Sequence, residues 1–241
     1  MPHSLPLHTR VAALNGIYRH HSATDVLRGA ITNPNAGALA LVSSFGAESV
    51  ALLHMVSVIK PSLPVLFIDT QMLFPETLEY HREVAAKLDL RDLRVIGAAN
   101  VATHDPDGTL HQRNPDGCCA LRKTDPLEKA LLPFDGWITG RKRFQAGSRA
   151  SLEFFEADGP TRLKVNPLAH WTPDDVQDYM INNRLPRHPL VAKGYPSIGC
   201  APCTSPVAEG ENPRAGRWRN TEKEECGIHF EDGKVVRRTA A

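Results

Sequence analysis

Four of the five cysteines fall into two tight pairs, Cys118 with Cys119 and Cys200 with Cys203. Neighbouring cysteines and a C-x-x-C spacing can each present two thiolates to one soft centre, and two such pairs complete a four-thiolate shell. A chain that uses both pairs together must bring segments far apart in sequence to one place. Cys226 is left outside that count. It stands beside Gly227 and three residues before His229 in a polar tail, where it is a candidate nucleophile that something outside the chain must regenerate. A spare surface cysteine is the plain alternative.

With 28 basic and 27 acidic residues, the net charge is +1, which gives no support for a nucleic-acid or membrane surface as principal partner. Any anion site must be local. The N-terminus lacks the basic and apolar regions of a signal peptide, and no apolar run approaches the roughly 20 residues that span a bilayer. A cytoplasmic protein is expected, and in that reducing compartment paired cysteines serve metal or catalysis more often than disulfides.

Residues 9 to 30 read as helical. Ala38 to Val42 is a short apolar run that predicts a buried strand, followed by the small polar loop Ser43-Ser44-Phe45-Gly46-Ala47-Glu48-Ser49. Leu52, Met55, Val56 and Ile59 then recur at helical spacing until Pro61. Strand, polar loop, buried helix aims backbone N–H groups at an anion, although such a loop is also common packing punctuation. Further strands are expected at 65–68, 93–96 and 136–139, with helices from Pro75 and from about Cys118 to Leu132, and a hairpin of 151–155 with 161–165. Thr172-Pro173-Asp174-Asp175 has the composition of a helix start. The alternation predicts an α/β fold with a doubly wound, mostly parallel sheet, whose ligands sit at the carboxyl ends of the strands. Ser43, Ser44, Gly46, Glu48, Asp69 and Thr70 lie there and are candidate substrate contacts. The basic loop Arg141 to Arg149 follows a strand at the same edge.

The motifs Cys118-Cys119-Ala120-Leu121-Arg122-Lys123, Cys200-Ala201-Pro202-Cys203 and Glu225-Cys226-Gly227-Ile228-His229 together resemble the assimilatory adenylylsulfate (APS) reductases that carry an iron–sulfur cluster. Phe67-Ile68-Asp69-Thr70, Leu73-Phe74-Pro75-Glu76-Thr77 and Trp137-Ile138-Thr139-Gly140 with the basic loop extend the resemblance over roughly residues 36 to 233. It implies an adenine nucleotide α-hydrolase-like fold and a 4Fe-4S cluster on Cys118, Cys119, Cys200 and Cys203. Departures are visible too: the first loop ends Ala-Glu-Ser where Ala-Glu-Asp is expected, and it lacks the Ser-Gly-Gly-x-Asp-Ser pattern of ATP-cleaving relatives.

The resemblance and the residue logic agree on Cys226 as the catalytic nucleophile, attacking the sulfur of adenylylsulfate and retaining it as a thiosulfonate. Release as sulfite then requires an external dithiol, thioredoxin or, second, glutaredoxin. Lys123, Arg143, Arg149, Arg214, Arg217 and His229 are the groups expected around the phosphosulfate, because a dianion needs several donors. The expected organisation is an N-terminal helical appendage (1–35), a nucleotide-binding domain with the cluster site (36–208) and a mobile C-terminal tail carrying the nucleophile (209–241). Zinc in place of iron, the 3′-phosphorylated substrate (PAPS) in place of APS, and a sulfur-inserting tRNA-modifying activity are the alternatives. Nothing in the sequence opposes a homo-oligomer.

Overall fold

The computed structural model describes residues 5–145 and 147–219, together with residues 230–231 and 234–235. Cys226 and His229 lie outside the described residues, as does the tail around them. Two helices, α1 (Leu7–Tyr18) and α2 (Ala23–Thr32), lead into β1 (Leu39–Ser43), α3 (Ser49–Ile59), β2 (Val65–Asp69), α4 (Pro75–Lys87) and β3 (Leu93–Gly97). Three short helices follow, α5 (Val101–His104), α6 (Leu110–Arg113) and α7 (Pro115–Cys119), then a π-helical turn (Ala120–Thr124) and α8 (Asp125–Leu131). The chain continues through β4 (Gly136–Ile138), β5 (Phe155–Asp158), β6 (Arg162–Val165) and α9 (Pro173–Asn182). Phe230–Glu231 and Lys234–Val235 pair with each other as a small antiparallel ladder. No helix among the described residues is long and apolar enough to cross a membrane.

The main sheet has six strands in the order β3-β2-β1-β4-β6-β5. Every pairing is parallel except that of β5 with β6. The connections run one way from β1 to β2 and β3 and the other way to β4, so the order reverses between β1 and β4, where a doubly wound sheet opens a crevice. Helices cover both faces, and β1 and β2 are accordingly buried along almost their whole length. One core packs Leu53, Val56, Phe67, Tyr80 and Val176 among the helices that include α2, α3, α4 and α9, and Leu14 of α1 joins it. The other packs Ala40, Leu66, Ile68 and Trp137 beneath Leu127 and Leu131 of α8. Fully burying a side chain the size of Phe67 contributes about 2–3 kcal/mol, and truncating it to alanine would cost about 3–5 kcal/mol.

Local signals set the helix boundaries. Ser22 accepts the N–H of Asp25 at the start of α2. Thr172 and Asp175 cap each other's backbone at the start of α9. Pro75 opens α4 with Glu76 in its first turn. Two expectations shift. The helix predicted from Cys118 to Leu132 is broken by the π-turn, because Pro126 has no N–H for the Arg122 carbonyl and its ring crowds that carbonyl, which a wider turn relieves. The first strand of the hairpin begins at Phe155 rather than Ser151, since Asp158 and Arg162 face each other across the turn and fix the register there.

The two borders of the sheet differ. At β5 the Asn15 side chain donates from Nδ2 to the Phe155 carbonyl (2.8 Å) and accepts the Phe155 N–H at Oδ1 (3.0 Å). At the opposite border β3 keeps Val95 54% exposed.

Candidate active site

At the reversal point the ends of β1 and β4 enclose a pocket of about 300 Å³, the lower end of the range for small-molecule sites. The loop after β1 forms one wall. It is pinned by its own serines, Phe45 N–H donating to Ser43 Oγ and Gly46 N–H to Ser49 Oγ. Phe45 has a φ of 48°, unusual without a glycine, and its buried ring stacks edge-on against Phe67 at 5.1 Å. That anchor leaves Ser44, Gly46 and Glu48 lining the pocket.

The basic loop forms the facing wall. Lys142, its side chain only 3% exposed, donates from Nζ to Glu48 Oε2 at 2.8 Å and to the Gly140 carbonyl at 3.2 Å. Burial lowers the Lys142 pKa and the Glu48 carboxylate opposes that shift. Gln145 reaches the same carboxylate (3.4 Å) and accepts Arg149 Nη1 at 2.5 Å. Arg141 also lines the pocket, tied behind it to Glu156 and to Asn166.

Arg214 and Arg217 close the third side. Arg217 lies 4.5 Å over the Trp218 ring and donates from Nη1 to the Ile198 carbonyl (3.1 Å). A Cβ at position 199 would stand 2.2 Å from its Nη2, so only glycine there lets the guanidinium lie against the backbone. Among the described residues, Arg217 Nε is buried without a hydrogen-bond partner. An unsatisfied cationic donor in such a pocket points to an absent anion.

Of the sequence candidates, the structure brings Ser43, Ser44, Gly46, Glu48, Thr70, Lys123, Arg149, Arg214 and Arg217 to this pocket. Two are placed elsewhere. Arg143, which opens the 3-10 turn Arg143–Gln145, turns outward because the Leu152 carbonyl and Glu153 hold its guanidinium there, while the preceding Lys142 pairs inward with Glu48. Asp69 accepts the Gln71 N–H at 2.8 Å, supporting the turn beneath the site. Lys142, Arg141 and Trp218 were not singled out from the sequence; the density of cations after a strand marks the loop, but not which of them faces in.

Beside the pocket, Cys118, Cys119, Cys200 and Cys203 line one small cavity of about 10 Å³, with Lys123, Cys200 and Trp218 common to both spaces. The second cysteine segment is fastened to the loop after β2 by the Leu73–Cys200 bridge and the Ala201 N–H to Met72 carbonyl bond (2.8 Å). Trp218 N–H donates to the Cys203 carbonyl at 3.0 Å. Thr70 Oγ1 stands 3.2 Å from Cys200 Sγ. None of the four cysteines is in a disulfide. As thiols, Cys118 is pushed up to about 11 by burial and then by Cys119, and burial followed by Cys200 raises Cys203. Among the described residues, no group of three or more His, Cys, Asp or Glu is arranged to hold a single metal ion. The four cysteines are the residues that could hold a polynuclear group, and Arg122, which lines the same cavity, has a buried Nε without a partner that could serve an acceptor there.

Residues 38–206 match the phosphoadenosine phosphosulfate reductase domain. An adenosine 5′-phosphosulfate reductase of Mesorhizobium japonicum is 48% identical over 223 residues, covering 92% of this chain and 87% of the relative. One from Chelativorans sp. is 46% identical, covering 93% and 94%. Among solved structures, the phosphoadenylyl-sulfate reductase of Candida auris in its phosphate complex aligns with a TM-score of 0.70 at 30% identity, over 82% of this chain and 96% of that one. With the family match spanning more than half of its length and relatives this similar over most of theirs, the chain belongs to the phosphoadenosine phosphosulfate reductase domain family.

Proposed function

We propose that the protein reduces adenylylsulfate to sulfite and AMP, using a dithiol protein of the thioredoxin type and a sulfonated Cys226 as intermediate. The observation that carries this reading is the pocket itself, where Lys123, Lys142, Arg149, Arg214 and Arg217 converge beside the cysteine cavity. Two close relatives bear the name of the same activity.

The chemistry needs little beyond charge and position. The thiolate of Cys226 attacks the sulfuryl sulfur, forming an S–S bond as the S–O bond to AMP breaks. Cations around the phosphosulfate stabilise the charge that collects on the departing phosphate. A thiolate of the external dithiol then attacks Cys226 Sγ, sulfite leaves with the bonding pair, and the second thiol resolves the mixed disulfide. The two electrons come from the dithiol. Cys118, Cys119, Cys200 and Cys203 would hold a 4Fe-4S cluster, which when bound supplies electrostatic and structural support to the neighbouring pocket.

The test is sulfite release from APS and from PAPS with thioredoxin present, for the wild type and for Cys226→Ser. The expected result is preference for APS, and loss of turnover in the variant with iron content and AMP binding retained. Faster turnover of PAPS assigns the substrate of the Candida auris relative instead; turnover by Cys226→Ser removes the intermediate.

A further inference from the structure

Asp105 sits in the long connection between β3 and α8, far in sequence from the pocket loops, and its side chain is 0% exposed. A carboxylate is taken fully out of water only when partners compensate it. Here one oxygen accepts the Leu110 N–H at 2.9 Å and lies 3.9 Å from Arg113 Nη2, and the other meets Arg122 Nη2 at 2.7 Å. Arg122 is nearly as buried, at 4% side-chain exposure, and its Nη1 donates to the Thr70 carbonyl at 2.9 Å. Thr70 in turn places its hydroxyl 3.2 Å from Cys200 Sγ. Both terminal nitrogens are thus held, each by an acceptor on a different segment. Nε, buried and without a partner, belongs to a side chain that lines the cysteine cavity.

We infer that Asp105 is a positioning residue for the cysteine-bound group: it locks Arg122 so that its Nε–H is offered to the cavity, while cancelling the charge that this donor would otherwise bring. Arg122 and Lys123 are adjacent cations on the π-turn that follows the first cysteine pair. Asp105 makes them unlike. Arg122 acts as a neutralised hydrogen-bond donor touching both cysteine segments, through the chain to Cys118–Cys119 and through Thr70 to Cys200. Lys123, its neighbour, lines both the cysteine cavity and the substrate pocket. A planar guanidinium can be gripped at two nitrogens and still present a third, which an ammonium cannot do.

This inference rests on the four cysteines holding an iron–sulfur cluster. It is tested on the purified holoprotein by iron analysis, the visible absorption and circular dichroism of the cluster, and the rate of iron loss to EDTA. The variants are Asp105→Asn, Arg122→Gln and the double substitution, with Asp89→Asn, an exposed carboxylate that pairs with Arg91 ahead of β3, as control. Asp105→Asn should alter the cluster spectrum and release iron at least ten-fold faster. Arg122→Gln should do the same, and the double variant should be no worse than the poorer single, since both act on one donor. Asp89→Asn should match the wild type. A wild-type spectrum and iron-loss rate in Asp105→Asn would overturn the inference. So would single effects that multiply, which would place the role of Asp105 in its contacts with Leu110 and Arg113. Arg122→Lys keeps the charge but cannot span both acceptors and the cavity, so it should shift the spectrum even where Asp105→Asn is not recovered folded; an unchanged spectrum there also overturns the inference. A wild-type protein without iron overturns the cluster reading itself, a result distinguishable from all of these.

Discussion

In the pocket of about 300 Å³, charged groups satisfy one another across an opening: Lys142 holds Glu48, Gln145 bridges to Arg149, and Arg217 leans on a backbone carbonyl. In the cavity of about 10 Å³ beside it, Arg122 is held by a fully buried carboxylate and a carbonyl, and the cysteines are buried or nearly so. The first set of partners can be exchanged for an incoming anion at modest cost, because Glu48 keeps 26% of its side chain exposed and water can take over. The second cannot be exchanged without stranding a charge in the interior. A site that must bind and release needs the first arrangement; a site that holds one group through every turnover needs the second.

The harshest way to break this contrast is Cys203→Ser. It should remove the visible absorbance and lower activity by more than a hundred-fold; metal analysis that finds one zinc and no iron in the wild type would refute the assignment. Next in size, Arg217→Ala removes a cation whose Nη1 is held by the Ile198 carbonyl and whose buried Nε has no partner among the described residues. Charge-assisted bonds are worth about 1.5–3 kcal/mol, so kcat/KM should fall by roughly 10- to 200-fold with the cluster spectrum intact. Arg143→Ala, which faces away, should stay within about two-fold; equal losses in the two variants would erase the distinction between inward and outward cations.

Glu48→Gln probes exchange directly. Leaving Lys142 without its carboxylate should lower stability by about 2 kcal/mol. Added AMP should raise the melting temperature of this variant more than that of the wild type, if an anion can replace Glu48; equal shifts would make the Glu48–Lys142 pair purely structural.

The smallest effect concerns His188, which lies behind Thr77 of the pocket wall. Its Nδ1 accepts the Leu190 N–H, its Nε2 lies 3.0 Å from Thr77 Oγ1, and burial lowers its pKa to about 4. The unfolded chain therefore binds the proton first as pH falls. Stability from this group is complete above the unfolded value of about 6.5 and is lost as pH drops towards about 4, on the order of 1–2 kcal/mol after screening. Urea midpoints at pH 7.5 and 5.0 for the wild type and His188→Gln should show a smaller pH dependence in the variant.

Much of this was legible in the chain. The β1–loop–α3 pattern, Pro75 at a helix start and the capping sequence at Thr172 are local signals, and each element formed where its signal lay. The two cysteine pairs, marked out by their spacing, line one cavity. What sequence could not supply was direction within irregular backbone. Lys142 and Arg143 are neighbours of equal charge, and only their partners in the fold, Glu48 for one and the Leu152 carbonyl with Glu153 for the other, tell which one enters the pocket. Asp105 gave no signal either, since a lone acidic residue in a polar connection looks solvated until the fold sets it against Arg122.

The Asn15 amide occupies both outward hydrogen-bonding groups of Phe155 as a further strand would at that one position. Growth of the sheet past β5 is thus opposed by a side chain carried on a helix, in addition to the carboxylates Glu156 and Asp158 on the strand itself. The stop works only while α1 is docked. Fraying or clipping of the first helix would turn a finished border into an adhesive one, so self-association of this enzyme should follow the integrity of its N-terminal helix rather than the occupancy of its active site.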